Sequence, residues 1–217
     1  VNDELGGRRL AIPYCTLCGS AQAYFTDDVA GADEMPVLRT SGLLSRSNKV
    51  MFDLPTFSVF DTFSGEALSG PLHDAGVELE QTSVVTSTWG DWKAAHPDTT
   101  IVAEDGGIGA DYPLDPLRGR DDGGAIFPIG DVDERLPAQE KVLGVTTDTG
   151  QALAFPVAAA LAELEAGRQV IALGVEVIAD ASGVRAVRAD GSEAVGHEAF
   201  WFAWSQFNPE TLLWSPG

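Results

Sequence analysis

Lysine is scarce in this chain. Three lysines (Lys49, Lys93, Lys141) and ten arginines face 33 Asp and Glu, for a formal net charge of −20. Such a surface repels phosphate backbones and anionic lipid, so no nucleic acid is expected as a partner, and no anionic membrane surface. Low Lys with high Asp points to a halophile, whose carboxylates hold surface water while salt screens their repulsion. A high-GC genome, which favours Arg over Lys, is the alternative. No apolar run approaches the roughly 18 residues of a membrane span. Catalytic signatures are missing too: there is no Gly-x-Ser-x-Gly elbow, no Walker loop and no His-Glu-x-x-His. The chain opens Val1-Asn-Asp-Glu4, with neither Met nor a leader-like start, so an upstream part is expected.

Cysteine is scarcer still. Cys15 and Cys18 are the only two in 217 residues, in the run Tyr14-Cys-Thr-Leu-Cys-Gly19. A chain of this length buries roughly 70% of its unfolded surface and needs no disulfide for stability. Two thiols three positions apart hold a soft metal ion, close a short disulfide, or cycle between the two redox states. The spacing leaves all three chemistries open.

The fold expected is α+β and β-rich, with antiparallel strands and meanders and few short helices. Strands are expected over Leu10–Tyr14 and Ser20–Phe25 around the Cys pair, then at Val37–Leu44, Val50–Asp53, Thr56–Phe63 and Val77–Thr88. Thr88 to Pro97 reads as a short helix with Thr88 as N-cap. Glu104–Gly130, rich in Gly, Asp and Pro, is the least structured stretch. The chain is expected to form a single domain over 1–217, with two lobes (about 1–104 and 125–217) joined by this loop. Leu143–Phe155 reads as a hairpin about Asp148-Thr-Gly150. Val157–Glu165 is the best helix, begun after Pro156 and closed by Gly167. Val170–Asp180 and Val184–Ala189 form a further meander. Gly6–Ile12 faintly echoes Ala166–Ala172, which raises the expectation of an internal duplication.

Several blocks together carry a resemblance. They are Val1–Gly7, Tyr14-Cys-Thr-Leu-Cys-Gly-Ser-Ala21, Ser41–Leu44, Val50-Met-Phe-Asp53, Gly65–Leu72, Thr88–Pro97, Phe127-Pro128 with Arg135-Leu-Pro137, Lys141–Val145 and Phe200-Trp-Phe-Ala-Trp204. They run in order over nearly the whole chain, which resembles domain-of-unknown-function family 3179. The resemblance implies an extracytoplasmic place or the cell surface, and part of the domain lying before Val1. Two positions depart from the family pattern: Thr16 stands where proline is usual, and Asn208 where histidine is common. The second departure puts a metal role at Asn208 in doubt.

Zinc takes about four ligands in a closed site, so a zinc site here must borrow from His, Asp or Glu. Copper(I) takes fewer and prefers thiolate and thioether. Cys15, Cys18 and Met51, with His73 as a fourth, are therefore the candidate metal ligands, copper the expected ion and zinc the runner-up. Core filling is the competing reading for Met51. A thiol-redox enzyme is the second function and predicts exposed sulfurs; the strand-like flanks argue against a thioredoxin-type helix start. A structural or binding domain with a fixed Cys15–Cys18 disulfide is the third. His96 reads as the cap of its short helix and His197 as exposed. The five tryptophans read as core, and the acidic stretch Asp105–Asp133 as a solvated loop without the ligand order of a calcium site. Nothing names a substrate.

Overall fold

A computed structural model describes residues 1–101, 124–125 and 127–217. The first half opens with β1 (Asn2–Leu5), β2 (Arg8–Ala11), β3 (Tyr14–Cys15), β4 (Ser20–Ala21) and β5 (Ala23–Phe25). Next come β6 (Leu38–Ser45), β7 (Asn48–Asp53), β8 (Val59–Asp61), β9 (Ala67–Ser69), α1 (Pro71–Asp74), β10 (Gln81–Thr82) and α2 (Trp89–Ala95). The second half holds β11 (Lys141–Thr146), β12 (Ala152–Pro156), α3 (Val157–Glu165), β13 (Val170–Ala172), β14 (Val175–Asp180) and β15 (Gly183–Arg188). It ends with β16 (Gly196–Phe200), α4 (Trp201–Phe207) and β17 (Leu212–Leu213).

The strands form small sheets in the orders β1-β2-β5-β10, β3-β4, β6-β7-β8-β9, β16-β11-β12-β17 and β13-β14-β15. All pairings are antiparallel except β12 with β17. The β-rich antiparallel fold with few short helices is thus as expected. Helix α3 matches its sequence bounds, and Gly167 closes it with φ 72°. Helix α2 starts at Thr88, whose hydroxyl accepts the Asp91 N–H at 3.3 Å.

Two strand expectations change. Val170–Asp180 is a hairpin, because Leu173 and Gly174 take φ 49° and 79° and fold β13 back on β14. Val77–Thr88 forms a strand at Gln81–Thr82 and a single bridge at Glu78 rather than one continuous ladder. Its start bridges Glu78 to Glu66 in the same half, while Ser83–Thr88 stays extended with partners in the other half. Ser83 N–H donates to Glu193, and Thr88 N–H to the Ser182 hydroxyl. Gly183 makes room for this crossing, since a Cβ there would lie 2.2 Å from the Thr86 carbonyl oxygen. The echo at Gly7 and Gly167 is local: Gly7 joins two strands, whereas Gly167 ends a helix.

Three apolar clusters build the interior. One gathers Tyr24, Leu38, Met51, Phe60 and Leu79 from the first half. Another gathers Leu143, Phe155, Val170 and Val177 from the second. The third draws Cys15, Cys18 and Phe63 from one half and Val142, Phe200, Trp201, Phe202 and Trp204 from the other. Each fully buried side chain of this size contributes about 1.5–3 kcal/mol. Helix α4 is buried on all sides, as an apolar helix must be.

Candidate functional site

The Cys pair sits in the tight turn between β3 and β4. Gly19 leaves the turn with φ 57° and its α-carbon lies under the Phe200 ring, where a Cβ would come within 3.0 Å. Phe200 N–H donates to the Cys18 carbonyl at 2.8 Å, which stitches the turn to β16. The two cysteines are unbridged and buried, Cys15 at 3% exposure and Cys18 at 0%.

Their chemistry is unequal. The Cys18 thiol, then the N–H groups of Lys49, Cys18 and Leu17, hydrogen-bond to the Cys15 sulfur and pull its pKa down to about 6 against the cost of burial. Cys18 shifts the opposite way, first because its proton is shared with Cys15 and then because it is buried. The Ser47 carbonyl, 2.8 Å from the Cys18 Sγ, is the other acceptor within reach of that single proton. The turn therefore favours a thiolate at Cys15 over one at Cys18.

The other two proposed ligands lie elsewhere. Met51 packs in the cluster with Tyr24 and Phe60, not in the one holding the cysteines. His73 is exposed on α1, with Nδ1 3.2 Å from Asp74. Among the described residues no three His, Cys, Asp or Glu side chains gather around one point. The acidic stretch Asp105–Asp133 lies mostly outside the described residues; Asp133 itself is held by Arg135 at 2.7 Å.

A second feature was not legible in the sequence. An open cleft of ≈ 1020 Å³ runs between the halves, lined from one side by residues such as Arg46, Asp61 and Phe63 and from the other by His197, Trp204, Phe207 and Asn208. His197, expected to be exposed, is 4% exposed instead. It stands on β16, an interior-facing strand against β11 and β4, and its ring meets Phe63 edge-on at 4.8 Å and Trp204 at 5.7 Å. Burial lowers its pKa to about 4, so the imidazole is neutral near pH 7. Nδ1 lies 3.0 Å from the Gln81 amide nitrogen, and Nε2 has no hydrogen-bond partner among the described residues. Asp61 is buried, and desolvation raises its pKa although it accepts the Phe63 N–H at 2.8 Å. Trp204 lies flat on Gly144, where a Cβ would sit 2.1 Å from the ring. Asn208 caps α4 and donates to the Trp204 carbonyl at 3.2 Å, the structural use of the position where histidine was expected. His96 does cap α2, and its Nε2 also reaches Asp180 at 2.6 Å.

A family model described as "Protein of unknown function (DUF3179)" matches residues 1–195. The chain belongs to this family. Neither curated proteins nor solved structures give a match. The family match spans the Cys turn, α2 and most of both halves, but ends before His197, Trp204 and Asn208. No helix of the described residues is long and apolar enough to cross a membrane.

Proposed function

We propose that this protein binds one soft metal ion through Cys15 and Cys18, with copper(I) the ion the pair fits best. One observation carries the reading: the Cys15 sulfur is surrounded by three backbone N–H donors and the neighbouring thiol, all favouring the thiolate that a soft metal needs. Two thiolates suit copper(I) better than zinc, which asks for about four ligands. Met51 and His73 are left out of the ligand set. Metal handling or electron transfer outside the cytoplasm is the role this implies, its location resting on family resemblance.

The test is anaerobic loading of reduced protein with copper(I), read by native mass spectrometry. One copper per chain is expected in the parent, in Met51→Leu and in His73→Ala. None is expected in Cys15→Ser or Cys18→Ser, with circular dichroism confirming that these fold. Equal copper in parent and cysteine variants would overturn the proposal.

A second reading is a Cys15–Cys18 disulfide, favoured by the hydrogen bond between the two side chains. Alkylation after denaturation of protein purified in air, with mass read-out, distinguishes it: two blocked thiols argue against it. The redox-enzyme reading fares less well, because burial keeps both sulfurs from a protein-sized partner.

A further inference from the structure

The cysteine turn is tied to β7 by a closed ring of buried hydrogen bonds. Cys15 pairs with Ser20 across β3 and β4. The Ser20 hydroxyl donates to Asn48 Oδ1 at 3.2 Å, and Asn48 Nδ2 donates to the Thr62 hydroxyl at 3.1 Å. The Thr62 hydroxyl in turn donates to the Lys49 carbonyl, from which Asn48 Nδ2 lies 3.4 Å. The Lys49 N–H closes the ring on the Cys15 sulfur. Ser20, Asn48 and Thr62 are all buried.

Strand pairing does not call for this amide. β7 lies between β6 and β8, whose ladders hold its backbone. An apolar side chain at position 48 would cost less to bury than an amide that needs partners on both atoms. What Asn48 adds is local. It shares with Lys49 the peptide whose N–H meets Cys15, and the Lys49 carbonyl is clamped on the far side. Ser47, the residue before it, brings its carbonyl to 2.8 Å from the Cys18 Sγ. Asn48 therefore stands between the two backbone groups that serve the two sulfurs. Partners of this kind, one shell behind a ligand, fix its orientation. An N–H on a metal-bound sulfur still meets negative charge, so the same bond supports the loaded state.

We infer that Asn48 is the positioning residue of the cysteine pair: its side-chain amide, with the Thr62 hydroxyl, fixes the β7 backbone so that the Lys49 N–H stays aimed at Cys15. The consequence for copper rests on reading Cys15 and Cys18 as metal ligands; the positioning itself does not.

Amide hydrogen exchange of the reduced, metal-free protein, followed by NMR, tests the positioning. In Asn48→Leu and in Thr62→Val the Lys49 amide should exchange about tenfold faster. Met51 and Phe52, further along β7, should keep parent rates, and Thr62→Ser, which retains the hydroxyl, should match the parent throughout. Chelator competition then reads copper(I), with affinity about tenfold weaker in Asn48→Leu and Thr62→Val and parent-like in Thr62→Ser. Equal acceleration along the whole of β7 would overturn the inference, since the ring would then only hold the strand together. So would an unchanged Lys49 rate, or parent-like copper affinity in both Asn48→Leu and Thr62→Val. Failure of the parent to bind copper, with Lys49 exchange altered as stated, would strike the metal reading and leave the positioning supported.

Discussion

Replacing His197 by Asn should remove one source of acid sensitivity, the protonation of a buried imidazole. The imidazole has an ordinary pKa of 6.5 and is lowered to about 4 by burial, so the folded state resists its protonation while the unfolded state does not. A histidine lowered in this way weakens the fold as pH falls from 6.5 towards 4. Going from about pH 7.5 to about pH 4.5, the penalty is on the order of 2 to 3 kcal/mol. The Asn amide oxygen can take the place of Nδ1 as acceptor for Gln81. The cavity it leaves costs stability at every pH, so it drops out of the comparison between pH values. The wild type alone does not expose the effect, because Glu198, next on β16, runs the other way. Burial raises its carboxyl from 4.5 to about 7, and acidification relieves that penalty. The assay is therefore a pair of guanidinium melts of parent and His197→Asn at each pH. The variant should gain on the order of 2 to 3 kcal/mol on the parent between the two conditions. A difference constant within about 0.5 kcal/mol would refute the reasoning, since the imidazole would then titrate alike in both states.

Other outcomes follow from single contacts. Glu198→Gln should stabilise the protein near pH 8 by up to about 3 kcal/mol and have little effect below about pH 4.5, read from the same melts. Gly144→Ala should cost about 3 kcal/mol or more and shift Trp204 fluorescence, because the added Cβ meets the ring at 2.1 Å. Gly90→Ala in α2, where nothing lies within 4 Å, should instead stabilise slightly; equal effects of the two would contradict the packing account. Ultraviolet thiolate absorbance of the reduced protein should rise around pH 6, the value to which its neighbours draw Cys15. Cys18→Ala should move that rise upward by removing its main cause, and an unmoved rise would refute the assignment.

Local signals carried most of the fold. The α3 bounds, the Thr88 cap and the hairpin at Asp148-Thr-Gly150 follow from Pro, Gly and β-branched residues acting over a few positions. The Val77–Thr88 segment shows where such signals end. Valine and threonine set an extended backbone, but only tertiary contact decides whether a ladder or side chains receive its N–H groups. The Cys turn was legible as a motif, and its thiolate cradle was not, because the Lys49 donor comes from another strand. The cleft was least legible. Asp61 and His197 lie 136 positions apart, and a histidine between Gly196 and Glu198 carries no local mark of burial. The aromatic run Phe200–Trp204 beside it was the one available hint that β16 enters the core.

The Cys18 proton ties the proposed metal site to the rest of the molecule. As a ligand Cys18 must give up its one proton, for which Cys15 and the Ser47 carbonyl, 2.8 Å away, are the two acceptors. A thiolate and a carbonyl oxygen at that distance repel, so metal loading must turn the Ser47 peptide or displace the sulfur. Ser47 is not free to move alone, because its hydroxyl donates to the Gln206 side chain at 2.6 Å. Gln206 lies on α4 with Trp204 and Phe207, two of the cleft's aromatic walls. Copper(I) is diamagnetic, so amide chemical shifts can follow the whole path. Loading should move the Gln206 side-chain amide resonances along with those of residues 15–19 and Ser47. Shifts confined to the turn would mean that Cys18 keeps its proton and that Cys15 holds the metal without it.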